Sequence, residues 1–102
     1  MIVQIAFLRC RPDQADNLAA ALARVAAVAI HDEPETLDYL VLRGPLGGDT
    51  ILFTTVETFS CPDAMEAHNT SACVAAFFDD AGPMLSGAPE VIVNTVVPAA
   101  RS

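Results

Sequence analysis

The sequence predicts an α+β domain on the ferredoxin-like plan, a split β-α-β-β-α-β with a four-stranded antiparallel sheet. Three observations lead there. Short runs rich in β-branched and aromatic residues alternate with helical stripes in that order, and each helical region is entered from a strand through Pro-Asp, Pro12-Asp13 and Pro62-Asp63. The strands also lack the apolar/polar alternation of a sheet with one wet face.

The first strand is expected over residues 1–9, closed by Pro12-Asp13. Asp13, with Asp16 three residues on, reads as the cap of the first helix, and Leu18, Leu22, Val25 and Ala29 form one stripe along it. Glu33-Pro34-Glu35 ends this helix, because the residue before a proline is pushed out of the helical region. Strands over 36–43 and 50–59 follow, joined by the glycine-rich connection 44–49. Ser60 with Asp63 reads as a second cap; the helix it starts breaks at Asn69-Thr70-Ser71, resumes through Val74, Phe77 and Phe78, and stops before Gly82-Pro83. A last strand is expected over 91–97. Residues 1–98 read as one domain and 99–102 as a short tail.

Five basic residues against 13 acidic ones leave a net charge of −8. Such a chain repels phosphate backbones, so nucleic acid and anionic membrane surfaces are not expected partners. The apolar stretch over 18–30 is too short to span a bilayer, and Met1 leads straight into a strand without a basic leader, which predicts a cytoplasmic protein. Cys10, Cys61 and Cys73 form no C-x-x-C pair, and neither His31 nor His68 sits at metal-ligand spacing, so neither a disulfide scaffold nor a metal site is expected. Arginines flank Cys10 alone, making it the one place for a reactive thiolate.

Strand one offers Ile2, Ala6 and Leu8 on one side and Val3, Ile5 and Phe7 on the other; strand four is apolar on both sides too. Two helical regions cover one face of a sheet. The other face is therefore expected to pack on a second copy, giving a homodimer.

Candidate chemistry centres on Glu57 and His68. Glu57 shares a strand face with Phe53, Thr55 and Phe59, where it either supports the fold through hydrogen bonds or sets the basicity of an imidazole. His68, in the second helical region, is a candidate general base for a phenol or enol, or else a core residue at the helix break. Tyr39 could bind a substrate oxygen or be an amphipathic strand residue at a dimer edge, and Asn69 and Asn94 could anchor a carbonyl or oxyanion or serve as loop or cap residues. Phe53, Phe59, Met65, Phe77 and Phe78, with Met84 and Leu85, would line a pocket beneath the helices or simply form core. His31 fits a helix C-terminus better than catalysis.

The run Glu33-Pro34-Glu35-Thr36-Leu37-Asp38-Tyr39, then Val56-Glu57-Thr58-Phe59-Ser60, Asp63-Ala64 and Ala67-His68, with Ser71 and Phe77 beyond, resembles the antibiotic biosynthesis monooxygenase (ABM) domain family over nearly the whole chain. Glu35 stands where that family usually has Gly, and the chain has no Trp, which disfavours haem degradation. The resemblance implies a dimeric α+β barrel with a pocket between sheet and helices. It also implies oxygenation of a small hydroxylated aromatic, quinol or anthrone-like, without cofactor, His68 acting as base with help from Glu57. A non-catalytic dimeric module, stress-related or binding a small apolar or aromatic ligand, or a proton-shuttling isomerase, is the alternative.

Overall fold

The computed structural model describes residues 1–100, the side chain of Leu46 apart. In chain order it contains β1 (Ile2–Cys10), α1 (Ala15–Asp32), β2 (Thr36–Gly47), β3 (Thr50–Phe59), α2 (Pro62–Asn69), α3 (Ala72–Ala81) and β4 (Glu90–Thr95), with single 3-10 turns at Pro12–Gln14 and Gly82–Met84. The strands form one antiparallel sheet in the order β2-β3-β1-β4, which is the ferredoxin-like arrangement. The last two residues of the expected tail lie outside the described residues.

The helices pack on one face of the sheet. Leu18, Leu22, Val25 and Ala29 of α1 are buried as the stripe requires, and Ala15 and Ala21 are buried beside them. Ala29 apart, they close on Leu8 and Cys10 of β1, Phe53 of β3 and Phe77 and Ala81 of α3. Burial raises the Cys10 thiol pKa despite the opposing pull of Arg43, which disfavours a thiolate at the one place the flanking arginines allowed it.

Neither helix-capping expectation holds in detail. Both carboxylate oxygens of Asp13 are taken by Arg11, at 3.1 and 2.7 Å, and α1 begins after a 3-10 turn without a side-chain cap. Ser60 turns its hydroxyl to the Glu35 carboxylate, leaving Cys61 at the N-cap of α2 and Pro62, which has no N–H to satisfy, in its first turn. Ser71 does cap α3, accepting from the Val74 amide at 3.2 Å, where the helix break was expected.

Two strand boundaries also move. β2 continues to Gly47, because Pro45 sits on an edge strand where a missing N–H costs no ladder bond, and the turn then closes through Gly47 and Gly48 at positive φ. β4 ends at Thr95 rather than residue 97, since its partner β1 runs out: the last bond is Val96 N–H to the Met1 carbonyl.

The face turned away from the helices carries Val3, Ile5 and Phe7 of β1, Leu40 and Leu42 of β2, Leu52 and Val56 of β3 and Ile92 of β4, paired across the strands. Leu40, Leu42 and Ile92 are about half exposed, at 47, 49 and 51%. Within one chain β4, expected to be buried on both sides, is exposed on both.

Candidate functional site

The residues at the lower end of the helical face are polar, although the strands that carry them are mostly apolar. Gln4 lies on the β1 face that also bears Ile2, Ala6 and Leu8. Thr55 and Glu57 alternate with Phe53 and Phe59 on β3, and all four are buried. Strand period alone puts them inward, so their polar atoms must find partners there.

His68 supplies the first partner. Near the end of α2 it is buried at 4% exposure between the rings of Phe59 and Tyr39, centroids 5.4 and 5.7 Å away. Its Nδ1 lies 2.8 Å from Glu33 Oε1, and its Nε2 lies 3.2 Å from Glu57 Oε1. Burial works against a charged imidazole, but the two carboxylates outweigh it and hold the His68 pKa above the ordinary value. Carboxylates only accept, so this pairing favours the protonated ring, in which both nitrogens can donate.

Glu33 arrives from the turn that ends α1. Its backbone carbonyl accepts from the Thr36 amide at 3.0 Å and its carboxylate accepts from the Thr36 hydroxyl at 2.7 Å. Glu35 in the same turn accepts from the Ser60 backbone amide at 3.0 Å, which clasps the turn to the junction of β3 and α2. The Glu-Pro-Glu run is therefore a structural part of the site, placing one carboxylate against the His68 ring.

On the other side of the ring, Glu57 accepts from Thr55 Oγ1 at 2.7 Å through Oε2 and from Gln4 Nε2 at 3.1 Å through Oε1. Gln4 and Asn69 exchange two bonds: Gln4 Nε2 donates to Asn69 Oδ1 at 2.9 Å, and Asn69 Nδ2 donates to Gln4 Oε1 at 2.8 Å. Among the described residues no buried side-chain nitrogen or oxygen lacks a partner. Glu33 and Glu57 sit on opposite nitrogens of one ring, so they do not converge on a common point, and no group of three His, Cys, Asp or Glu among the described residues is arranged to hold a metal.

A cavity of about 200 Å³ opens onto this network. Gln4, Tyr39, Glu57, His68 and Asn69 form its polar end, while Ala6, Leu8, Leu22, Val25, Val74, Phe77 and Phe78 supply apolar wall and Val91 of β4 the rim. Tyr39 makes no side-chain hydrogen bond among the described residues. Burial first, then the charges of Glu57, Cys73 and Glu33, hold its phenol above the ordinary tyrosine pKa, so it stays protonated.

Of the residues singled out from sequence, Glu57, His68, Tyr39, Asn69, Phe77 and Phe78 come together at this cavity. Phe53 and Phe59 do not form its wall; at 1 and 0% exposure they are packed beneath it, Phe53 in the core and Phe59 against His68. Met65, Met84 and Leu85 are likewise not among the lining residues. Asn94 reaches the Val3 carbonyl at 3.1 Å on the opposite face, and exposed His31 pairs with Asp32 at 2.6 Å at the end of α1. Gln4, Glu33 and Thr55 were missed. A single amide inside an apolar strand is the signal that could have flagged Gln4.

The family model for antibiotic biosynthesis monooxygenase matches residues 1–80. Among solved structures, a Caulobacter crescentus protein provisionally designated an antibiotic biosynthesis monooxygenase superposes with a TM-score of 0.86 at 24% identity, covering 95% of this chain and 90% of that one. A Nitrosomonas europaea protein of the same provisional designation gives 0.85 at 15% identity, over 96 and 100%. A Mycobacterium tuberculosis protein gives 0.83 at 21% identity, over 98% of both. No functionally curated protein matches the sequence. With the β2-β3-β1-β4 sheet and a match over residues 1–80, the chain belongs to the antibiotic biosynthesis monooxygenase family.

Proposed function

We propose that the protein is a cofactor-independent monooxygenase acting on a small hydroxylated aromatic, quinol or anthrone-like. The observation that carries this reading is the buried Glu57–His68 pair at the polar end of an otherwise apolar cavity. Family membership supports the oxygenase class.

In this mechanism an aromatic ring occupies the apolar wall with its hydroxyl toward Glu57. The pair works in the opposite order to the one the sequence suggested. With the protonated form of His68 favoured by its two carboxylates, the Glu57 carboxylate is assigned to receive the substrate proton while the imidazolium beside it steadies the charge. The electron-rich anion then reduces dioxygen. For an anthrone-like ring, one methylene becomes a carbonyl, one oxygen atom enters it, and the other leaves as water with the two methylene hydrogens. The protein contributes orientation and exclusion of water.

The outward sheet face supports a homodimer: Ile5, Leu40, Leu42, Val56 and Ile92 form a continuous apolar surface of the kind a second sheet covers.

One observation favours a second reading. Both nitrogens of His68 are committed to carboxylates, which is also what a purely structural histidine in a ligand-binding module would show. Oxygen uptake by the metal-stripped protein against quinols, naphthols and anthrones separates the two. Uptake that disappears in Glu57→Gln supports the oxygenase; binding of the same compounds without uptake supports the module.

A further inference from the structure

We propose that Gln4 is a positioning residue: anchored by Glu57, it locks the Asn69 carboxamide so that one Asn69 N–H is offered to an acceptor oxygen of the ligand in the cavity. The proposal rests on the reading of this cavity as a site for an oxygenated aromatic.

The orientation is propagated from the carboxylate. Glu57 Oε1 only accepts, so the Gln4 group 3.1 Å from it has to be Nε2; a flipped amide would set two acceptor oxygens against each other. With Gln4 fixed, Asn69 is fixed as well, since flipping its amide would replace the bonds of 2.9 and 2.8 Å with oxygen facing oxygen and nitrogen facing nitrogen.

Within the Gln4–Asn69 pair, counting protons then leaves one donor, in addition to the Tyr39 hydroxyl on the same cavity. Gln4 Nε2 spends its two on Glu57 and Asn69. Asn69 Nδ2 spends one on Gln4 Oε1 and keeps the second, and Asn69 lines the cavity. This donor shares the cavity with a carboxylate, with no arginine in the lining among the described residues and with His68 already paired to a carboxylate on each side. A neutral ketone or phenol oxygen fits such a site, whereas a carboxylate or phosphate would lie next to Glu57 without a counter-charge. Gln4 makes no other side-chain hydrogen bond among the described residues.

The test compares binding of 1-tetralone, a neutral bicyclic ketone, with tetralin, the same skeleton without oxygen. Wild-type protein is expected to prefer the ketone by about tenfold, the worth of one well-placed hydrogen bond. The ketone should also shift the Asn69 side-chain amide resonance in a ¹H–¹⁵N spectrum. In Gln4→Met, of similar length and without an amide, made in a Tyr39→Phe background so that no phenol can substitute as donor, the preference should collapse to near unity and the shift should vanish. Retained preference in Gln4→Met on that background overturns the proposal, and so does an Asn69 amide that the ketone leaves unmoved in the wild type, a measurement that needs no variant to fold. Oxygen uptake reports on the oxygenase reading separately: a protein that discriminates the ketone yet consumes no oxygen keeps Gln4 in its role and removes the oxygenase.

Discussion

His68 Nε2 stands 3.2 Å from Glu57 Oε1, and both side chains are under 5% exposed. A charged pair this deep is stabilising only while both members are present, because each alone would be an unpaired buried charge. Glu33, on the far nitrogen of the same ring, sets the imidazole between two carboxylates and favours its protonated form.

Removing the ring should therefore cost more than its packing. His68→Ala is expected to lower unfolding free energy by about 3–5 kcal/mol, the usual penalty for orphaning a buried partner. Adding Glu57→Gln to that variant should recover part of the loss. Urea denaturation of the two single variants and the double variant measures the coupling, and strict additivity would refute it.

The pair also fixes the sign of a pH dependence. The His68 pKa is raised in the folded state, so its contribution is fully present below the unfolded value near 6.5. It is lost as pH rises through the folded pKa. Exposed His31, raised by Asp32, acts in the same direction and should be replaced by Asn as background. Urea midpoints of His31→Asn should fall between pH 6 and the alkaline side of the folded pKa, while adding His68→Gln should flatten the profile.

Tyr39 is the one tyrosine, and the chain has no tryptophan, so its ionisation can be followed cleanly at ~295 nm. Because burial and the nearby charges keep the phenol protonated, native protein should show no tyrosinate at pH values where an exposed tyrosine is half ionised. Absorbance should rise only together with loss of the far-ultraviolet helix signal. A tyrosinate step within the folded state would place the hydroxyl in solvent.

Two substitutions at the cavity should separate binding from chemistry. Asn69→Ala removes a donor and should raise KM by about tenfold with a smaller change in kcat, whereas Glu57→Gln should lower kcat by at least about 100-fold. Steady-state oxygen uptake distinguishes these patterns. Equal effects on both parameters in both variants would indicate general damage to the site.

On the outward face, Val56 of β3 pairs across the sheet with Ile5 of β1. Val56→Arg should convert a dimeric wild-type protein to a folded monomer in sedimentation equilibrium, since a guanidinium placed within a sheet-on-sheet contact has no counter-charge there. A monomeric wild type would remove the dimer.

Much of the fold was legible because it is written in local periods. The α1 stripe, the break at Asn69-Thr70-Ser71, the inward face of β3 and the antiparallel order follow from spacing, and each element agrees with its neighbours. The caps at Asp13 and Ser60 were not legible in that way. A carboxylate or hydroxyl beside a helix start can be claimed by any nearby partner, and Arg11 and Glu35 claimed these two.

For the site, the sequence by itself determined which residue types were available: one glutamate on an aromatic strand face, one histidine on a short helix, one tyrosine and one asparagine that could face them. Only the tertiary structure decided their roles. It brought Glu33, 35 residues away in the chain, and Gln4, 53 residues from Glu57, into the network. That set a carboxylate against each nitrogen of His68, which favours its protonated form. Periodicity reports which face a side chain occupies; which partner it meets there depends on how distant segments are packed, and buried polar atoms make that partner decisive.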